Sequence, residues 1–216
     1  MIIGITGGIG SGKSFVVSEL KRRGFECFDC DKEAKTLMIA DPIVIRQICS
    51  CVGTNAYNRP EGNNPDMDFA LKPDNVSDSF EGWTLNKSAI SDFLFKNEEN
   101  KKAINEIVHP ALERIFIEWA KQRQGKVTFL ESAILFESGF NRIVDFVLLV
   151  SADERVRIQR TMLRDHASYE SVKRKINRQA DQRVISKKAD YIIYNNGTEN
   201  IGEQIDSLIK LLNIKP

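Results

Sequence analysis

Ile2-Ile3-Gly4-Ile5-Thr6, then Gly7-Gly8-Ile9-Gly10-Ser11-Gly12-Lys13-Ser14, then Phe15-Val16-Val17-Ser18-Glu19-Leu20: an apolar run, a glycine-rich turn and a helically spaced segment succeed one another in the first twenty residues. The first run needs burial on both faces, which suits a central strand of a parallel sheet. Ser14 to Arg23 predicts a helix, with apolar groups at Phe15, Val16, Val17 and Leu20, basic residues near its end and Gly24 to stop it. Between them, residues 7 to 14 satisfy G-x-x-x-x-G-K-[ST] in the strand-to-helix context that this pattern requires. The glycines let successive N–H groups aim at phosphate oxygens, and the helix start adds its positive end. Lys13 then suits the β and γ phosphates, and the Ser14 hydroxyl suits Mg²⁺. A dinucleotide turn, G-x-G-x-x-G, would want a third glycine where Lys13 stands. The turn therefore reads as a nucleoside triphosphate cradle made by Gly8, Ile9, Gly10, Ser11, Gly12, Lys13 and Ser14, with Phe15 next in line.

Working outward, Phe25 to Phe28 predicts a second strand closing at Asp29, and a helix from Lys32 to Ile39 behind Asp31. Asp29 and Asp31 would stand at the carboxyl edge of the sheet beside the turn, and alternation along an extended end would point both the same way. A carboxylate there can accept the proton of an attacking hydroxyl, hold a magnesium water, or cap the next helix. From Cys51 to Trp83 the periodicity is lost and a long surface excursion is expected. Helices at about 86 to 95 and 98 to 108 follow, and a third starts after Pro110 with Leu112, Ile115, Phe116 and Trp119 on one stripe. Val127 to Leu130, Val144 to Val150 and Tyr191 to Tyr194 read as further strands, giving an α/β protein with a five-stranded parallel sheet. Residues 153 to 188 differ: they predict charged helices carrying Arg155, Arg157, Arg160, Arg164, Arg174, Arg178 and Arg183. Ile201, Ile205, Leu208, Ile209 and Leu212 give the closing helix its packed face.

Of the 216 residues 42% are hydrophobic and 28% charged, a globular profile that excludes a disordered or collagen-like chain. Thirty-one Lys and Arg against thirty Asp and Glu leave a net charge of +1, so no protein-wide basic field exists for duplex nucleic acid, and an anionic partner must be small and met locally. No apolar run reaches the roughly 18 residues of a membrane span, and the expected location is the cytoplasm. The four cysteines fall in two close pairs, Cys27 with Cys30 and Cys49 with Cys51, while His109 and His166 lie far off. A zinc site would need all four thiolates, and aspartates on both sides of Cys30 would blunt a redox thiol, so reduced thiols are the plain expectation.

Thr6 to Ser14 followed by Asp29-Cys30-Asp31 resembles the dephospho-CoA kinase family. The likeness continues at Ile107-Val108-His109-Pro110, Leu135-Phe136-Glu137, Arg160 with Arg164-Asp165, Gln179, and Ala189-Asp190-Tyr191 running into Asn195-Asn196-Gly197. It implies a P-loop three-layer fold with strand order 2-3-1-4-5. The core would be residues 1–50, 124–152 and 184–216, with a helical substrate-binding insertion at 51–123, including the excursion 53–83, and an arginine-rich lid at 153–183. It implies transfer of the γ-phosphate of ATP, with Mg²⁺, to the 3′-hydroxyl of dephospho-CoA. Carried over residue by residue, Asp31 is the general base and, with Ser14, a metal ligand. Lys13 and Arg160 assist the transfer, Arg164 reaches the ATP phosphates, and Asn196 and Gly197 border the adenine. Asp29, Asp31, Lys87 and His109 meet the acceptor. The implied partner is this small molecule, met by a monomer, with neither nucleic acid nor membrane involved.

Four departures stand out: Phe15 where the family commonly has threonine, Ala133 for a proline, Lys87 for an arginine, and an excursion around Asn55 to Glu81 longer than the family's usual link. A nucleoside or nucleotide kinase of the same build, a GTPase-like switch and a non-enzymatic nucleotide-binding scaffold remain as other classes. The switch would call for N-K-x-D, which Asn195-Asn196-Gly197-Thr198 does not supply. His109 is either a packed helix start or an acceptor contact, Glu137 either orients an arginine or caps locally, and His166 is expected to be solvated.

Overall fold

The computed structural model describes residues 1–60 and 80–216, which divide into two compact units. The first comprises Met1–Asp31 and Glu118–Pro216, the second Lys32–Ile117.

The first unit is built on a five-stranded parallel sheet. Strand β1 (Ile2–Thr6) is central, flanked by β5 (Thr128–Glu131) and β6 (Phe146–Ser151), with β2 (Glu26–Asp29) outside β5 and β7 (Tyr191–Tyr194) outside β6. Counted within this sheet the order is 2-3-1-4-5, as the resemblance implies. Ile3 and Ile5 are fully buried among residues of α1 (Lys13–Arg22) and α9 (Ile201–Leu212), chiefly Val16, Leu20, Ile205 and Leu208. Each such aliphatic side chain contributes about 1.5–3 kcal/mol, so the sheet face itself fixes where α1, and hence the turn before it, must lie. In register, Ile5 and Asp29 are both level with Glu131, so three neighbouring strands end together at the carboxyl edge.

After β6 come α6 (Glu154–Asp165), α7 (Tyr169–Asn177) and α8 (Gln182–Ser186). Ile158, Val172 and Ile176 form a small core of their own, and Ile9 of the glycine-rich turn packs against it. The arginine-rich segment is therefore anchored by apolar contacts as well as carrying charge.

The second unit holds the rest of α2 (Cys30–Ala40), α3 (Pro42–Val52), an antiparallel pair β3 (Tyr57–Asn58) and β4 (Thr84–Leu85), α4 (Lys87–Lys96) and most of α5 (Glu98–Lys121). The insertion drawn at 51–123 overlaps this unit, which also takes in α3. Asp41 caps α3, its side chain accepting from Ile43 N–H (2.9 Å) and Val44 N–H (3.2 Å), with Pro42 in the first turn where a missing N–H costs nothing.

Three sequence expectations are corrected here. The helix behind the aspartates starts at Cys30, two residues earlier than the break at Asp31 suggested, so Asp31 is helical and strand alternation does not relate it to Asp29. No helix starts after Pro110: α5 runs unbroken through it. Proline removes the N–H that would bond the Glu106 carbonyl, but Ile104, Val108, Leu112 and Phe116 form one buried stripe at intervals of four, and its burial outweighs the lost bond. The expected surface excursion has both ends in the core of the second unit, where Tyr57, Phe80 and Trp83 are buried; its middle, 61–79, lies outside the described residues. Among the described residues no helix is long and apolar enough to cross a membrane.

Candidate active site

The parallel sheet leads its strand ends to one edge, and there the turn after β1, the start of α2, the end of β5 and the inner side of α6 surround a cleft of about 490 Å³. The turn contributes Ile9, Gly10, Gly12, Lys13 and Ser14 to its wall. Gly10 and Gly12 have φ of 77° and 95°, and a Cβ on Gly12 would collide with the Asn195 amide. Both positions require glycine for backbone and space together. Asp31, Glu131, Ala133, Arg160, Arg164 and Gln179 complete the wall, so the structure gathers eight turn, acid and lid positions singled out in the sequence around one space: Ile9, Gly10, Gly12, Lys13, Ser14, Asp31, Arg160 and Arg164.

The turn is held from both flanks. Asn195, just past β7, donates from Nδ2 to the Ser11 carbonyl (2.9 Å). Arg160 places Nη1 on the Asn195 carbonyl (2.8 Å) and Nη2 on its Oδ1 (3.3 Å). On the other flank Ile9 N–H donates to Gln179 Oε1 (2.8 Å), and Arg157 Nε donates to the Ile9 carbonyl (3.0 Å). Lys13 Nζ donates to the Gly7 carbonyl (2.7 Å), and Arg164 Nε donates to Asp165 Oδ1 (2.7 Å).

Burial pulls the Lys13 ammonium below the ordinary lysine range, with Glu131 and Asp31 pulling back and Arg157 and Arg164 reinforcing the shift. Glu131 moves the other way: burial, then the neighbouring charge of Asp29, raises it above the usual carboxylate range. Asp31 is exposed, and among the described residues its carboxylate has no hydrogen bond or ion pair. A cationic floor under peptide N–H groups, with an unengaged carboxylate at the rim, can grip a polyphosphate and take a proton from a hydroxyl presented to it. The oxygens of Ser14 and Asp31 suit a hard cation such as Mg²⁺, which takes its remaining ligands from phosphate and water. Among the described residues no three His, Cys, Asp or Glu are placed to hold a metal unaided.

The Glu131 shift makes a stability prediction. A carboxyl raised in the folded state is neutral in both states at low pH, so Glu131→Gln should there match the parent in melting temperature. As pH rises through the ordinary carboxylate range and on past the raised folded value, the parent loses stability that the amide keeps, and the variant should melt higher, with the gap levelling off above. Melting scans from pH 4 to 8 test it; a variant melting at or below the parent at pH 8 would sink it.

The other sequence candidates fall as follows. Asp29 ends β2, level with Glu131. Gly8 is buried and Phe15 is 54% exposed on α1. The Asn196 side chain donates to Glu199 Oε1 (3.1 Å) and accepts from Asp153 N–H (2.7 Å), next to exposed Gly197. Lys87 opens α4 in the second unit, exposed, where its charge opposes the helix dipole. His109 is half-buried inside α5, and burial lowers its pKa, leaving the imidazole neutral at physiological pH. It is not at a helix start. Glu137 accepts from Ala180 N–H (3.4 Å). The four cysteines are free thiols, Cys27 pushed up to about 12 by burial. The sequence reading gave no site role to Glu131, Arg157 or Asn195. For Glu131 a signal existed, an acid closing a strand at the same edge as Asp29; Arg157 had none that set it apart from six other arginines nearby.

Comparison with known proteins places these features in a family. A family model described as dephospho-CoA kinase matches residues 1–63 and 74–200. A dephospho-CoA kinase of Bacteroides fragilis is 32% identical over 97% of this chain and 92% of its own length. One of Chlorobaculum tepidum is 32% identical over 98% of this chain and 95% of its own. Among solved structures, a Thermus thermophilus protein superposes with a TM-score of 0.74 at 26% identity, covering 99% of this chain and 96% of that one. A shikimate kinase of Acinetobacter baumannii, at 14% identity and a TM-score of 0.51 over 98% and 93% of the two chains, shares the fold alone.

Proposed function

This chain belongs to the dephospho-CoA kinase family, and we propose that it transfers the γ-phosphate of ATP to the 3′-hydroxyl of dephospho-CoA at the cleft around Lys13. The observation that carries the site assignment is the convergence of Lys13, Ser14, Asp31, Arg160 and Arg164 on one cleft. The turn N–H groups and the Lys13 ammonium hold the β and γ phosphates, fixing the γ-phosphorus for in-line attack. As the 3′-oxygen bonds to phosphorus, the bond from phosphorus to the β–γ bridging oxygen breaks and ADP leaves with that electron pair. The hydroxyl proton passes to Asp31, whose carboxylate has no protein hydrogen bond or ion pair among the described residues, and from there to solvent. Ser14 and Asp31 would hold Mg²⁺, which would supply neutralisation of the phosphate charge. Arg160 and Arg164 add positive charge on the lid side, Asn196 and Gly197 are assigned to the adenine, and Asp29, Lys87 and His109 to the acceptor.

The test is a coupled assay with ATP and Mg²⁺, in which dephospho-CoA should gain the mass of one phosphoryl group and nucleoside monophosphates none. Transfer to nucleotides, or ATP hydrolysis indifferent to dephospho-CoA, would refute the reading.

A prediction on the lid follows from the fork that Arg160 makes on Asn195. Arg160→Lys keeps the charge but cannot span both acceptors, so kcat/KM for ATP should fall by about tenfold or more, and Arg164→Lys should behave likewise. Arg174→Lys and Arg183→Lys, both on the exposed side of their helices, should stay within about twofold. Steady-state kinetics on the four variants check this, and equal tolerance at all four removes the phosphate-gripping role.

A further inference from the structure

Arg157 is 5% exposed, the most buried charged side chain among the described residues. Among the described residues its side-chain hydrogen bonds go to neutral acceptors only: Nε to the Ile9 carbonyl (3.0 Å) and Nη2 to Gln179 Oε1 (3.4 Å). Burial lowers its pKa, and Glu154, the acid that offsets this, is itself ion-paired to Lys173. A guanidinium taken out of water without a carboxylate partner is costly, and packing alone would be served better by an apolar residue.

Its position suggests what the cost secures. Ile9 and Gly10 share one peptide group, and a trans peptide sets its C=O and N–H in opposite directions. By holding the Ile9 carbonyl, Arg157 turns the Gly10 N–H to the far side, and Gly10 lines the phosphate cleft. The preceding peptide is fixed as well, since Ile9 N–H donates to Gln179 Oε1 and the Gly8 carbonyl accepts from Ser11 N–H (3.1 Å). Among the described residues the Gly10 N–H has no acceptor. The Ile9 side chain is seated against Ile158, Val172 and Ile176, so backbone and side chain of this residue are both held by the lid helices. A Cβ on Gly10 would collide with the Arg157 carbonyl, which shows how closely α6 abuts the turn.

We propose that Arg157, with Gln179, is a positioning residue for ATP: it orients the Ile9–Gly10 peptide so that the Gly10 N–H faces the phosphates, and it joins the turn to the lid helices. It does not touch the nucleotide. The inference rests on the reading of the cleft as the ATP site and adds a residue that reading does not contain.

The test compares the parent with Arg157→Met, which keeps the stem and loses every donor, and Arg157→Gln, which keeps an N–H donor without charge. ATP dissociation constants by calorimetry, KM for dephospho-CoA and melting temperature are measured on each. Orientation by hydrogen bonding predicts ATP binding about tenfold weaker in Arg157→Met, with acceptor KM within about twofold and melting within a few degrees, and recovery of most of the loss in Arg157→Gln. Unchanged ATP affinity in Arg157→Met overturns the proposal. So does a parallel rise in acceptor KM with a large fall in melting temperature, which marks general damage. Should Arg157→Met fail to fold, Arg157→Gln decides alone: affinity within about threefold of the parent supports the proposal, and a tenfold or larger loss overturns it in favour of a role for the charge. A parent that binds no ATP would overturn the cleft assignment itself, and this inference with it.

Discussion

Asp31→Asn should lower turnover by roughly 10² to 10⁴-fold while ATP affinity stays within about threefold. The amide matches the carboxylate in size and reach but cannot take the 3′-hydroxyl proton, so the loss falls on the transition state. The structure makes the competing account quantitative. Asp31 lies in the first turn of α2, which starts at Cys30, and an acid there favours the helix dipole by about 0.3–1 kcal/mol. If that were its whole purpose, asparagine would cost at most this much stability and nothing in rate. Turnover, ATP affinity and melting temperature on the one variant separate the two accounts, and a fully active Asp31→Asn enzyme would end the general-base assignment.

Lys13→Ala should lower phosphoryl transfer by roughly 10²-fold or more with the fold intact. Its ammonium is the cation fixed within the turn, bonded among the described residues only to the Gly7 carbonyl and already shifted by burial, so the protein gains little stability from holding it there. A polyphosphate would supply the missing counter-charge, and the lysine matters in proportion to the charge that develops on it. Circular dichroism should show native structure and the coupled assay the loss; turnover within about threefold of the parent would contradict the site.

What the sequence made legible followed from local rules with a single outcome. A strand, a glycine turn ending in Lys13-Ser14 and an amphipathic helix can be assembled in one way, and the strand order around β1 came with the family resemblance. Pro110 was misread because a local rule, proline at a helix start, was set against a stripe from Ile104 to Phe116 that only the whole helix reveals. The aspartate pair was misread by the same kind of error, a strand rule extended two residues into a helix. The roles of Arg157 and Asn195 were not legible: their partners Ile9 and Ser11 lie 148 and 184 residues away, and no pattern along the chain records such a meeting.

The central place of β1 bears on how the protein is made. It leaves the ribosome well before its partners, since Ile3 pairs with Phe129 on one side and Phe146 on the other. At about 5–20 residues per second, synthesis leaves this apolar strand without either neighbour for roughly 6–25 s. The phosphate turn waits longer still, since Asn195 must arrive before Ser11 is held. ATP therefore has no finished site to bind until Asn195 has been made, and through that interval the apolar edges of β1 are open to association with other chains.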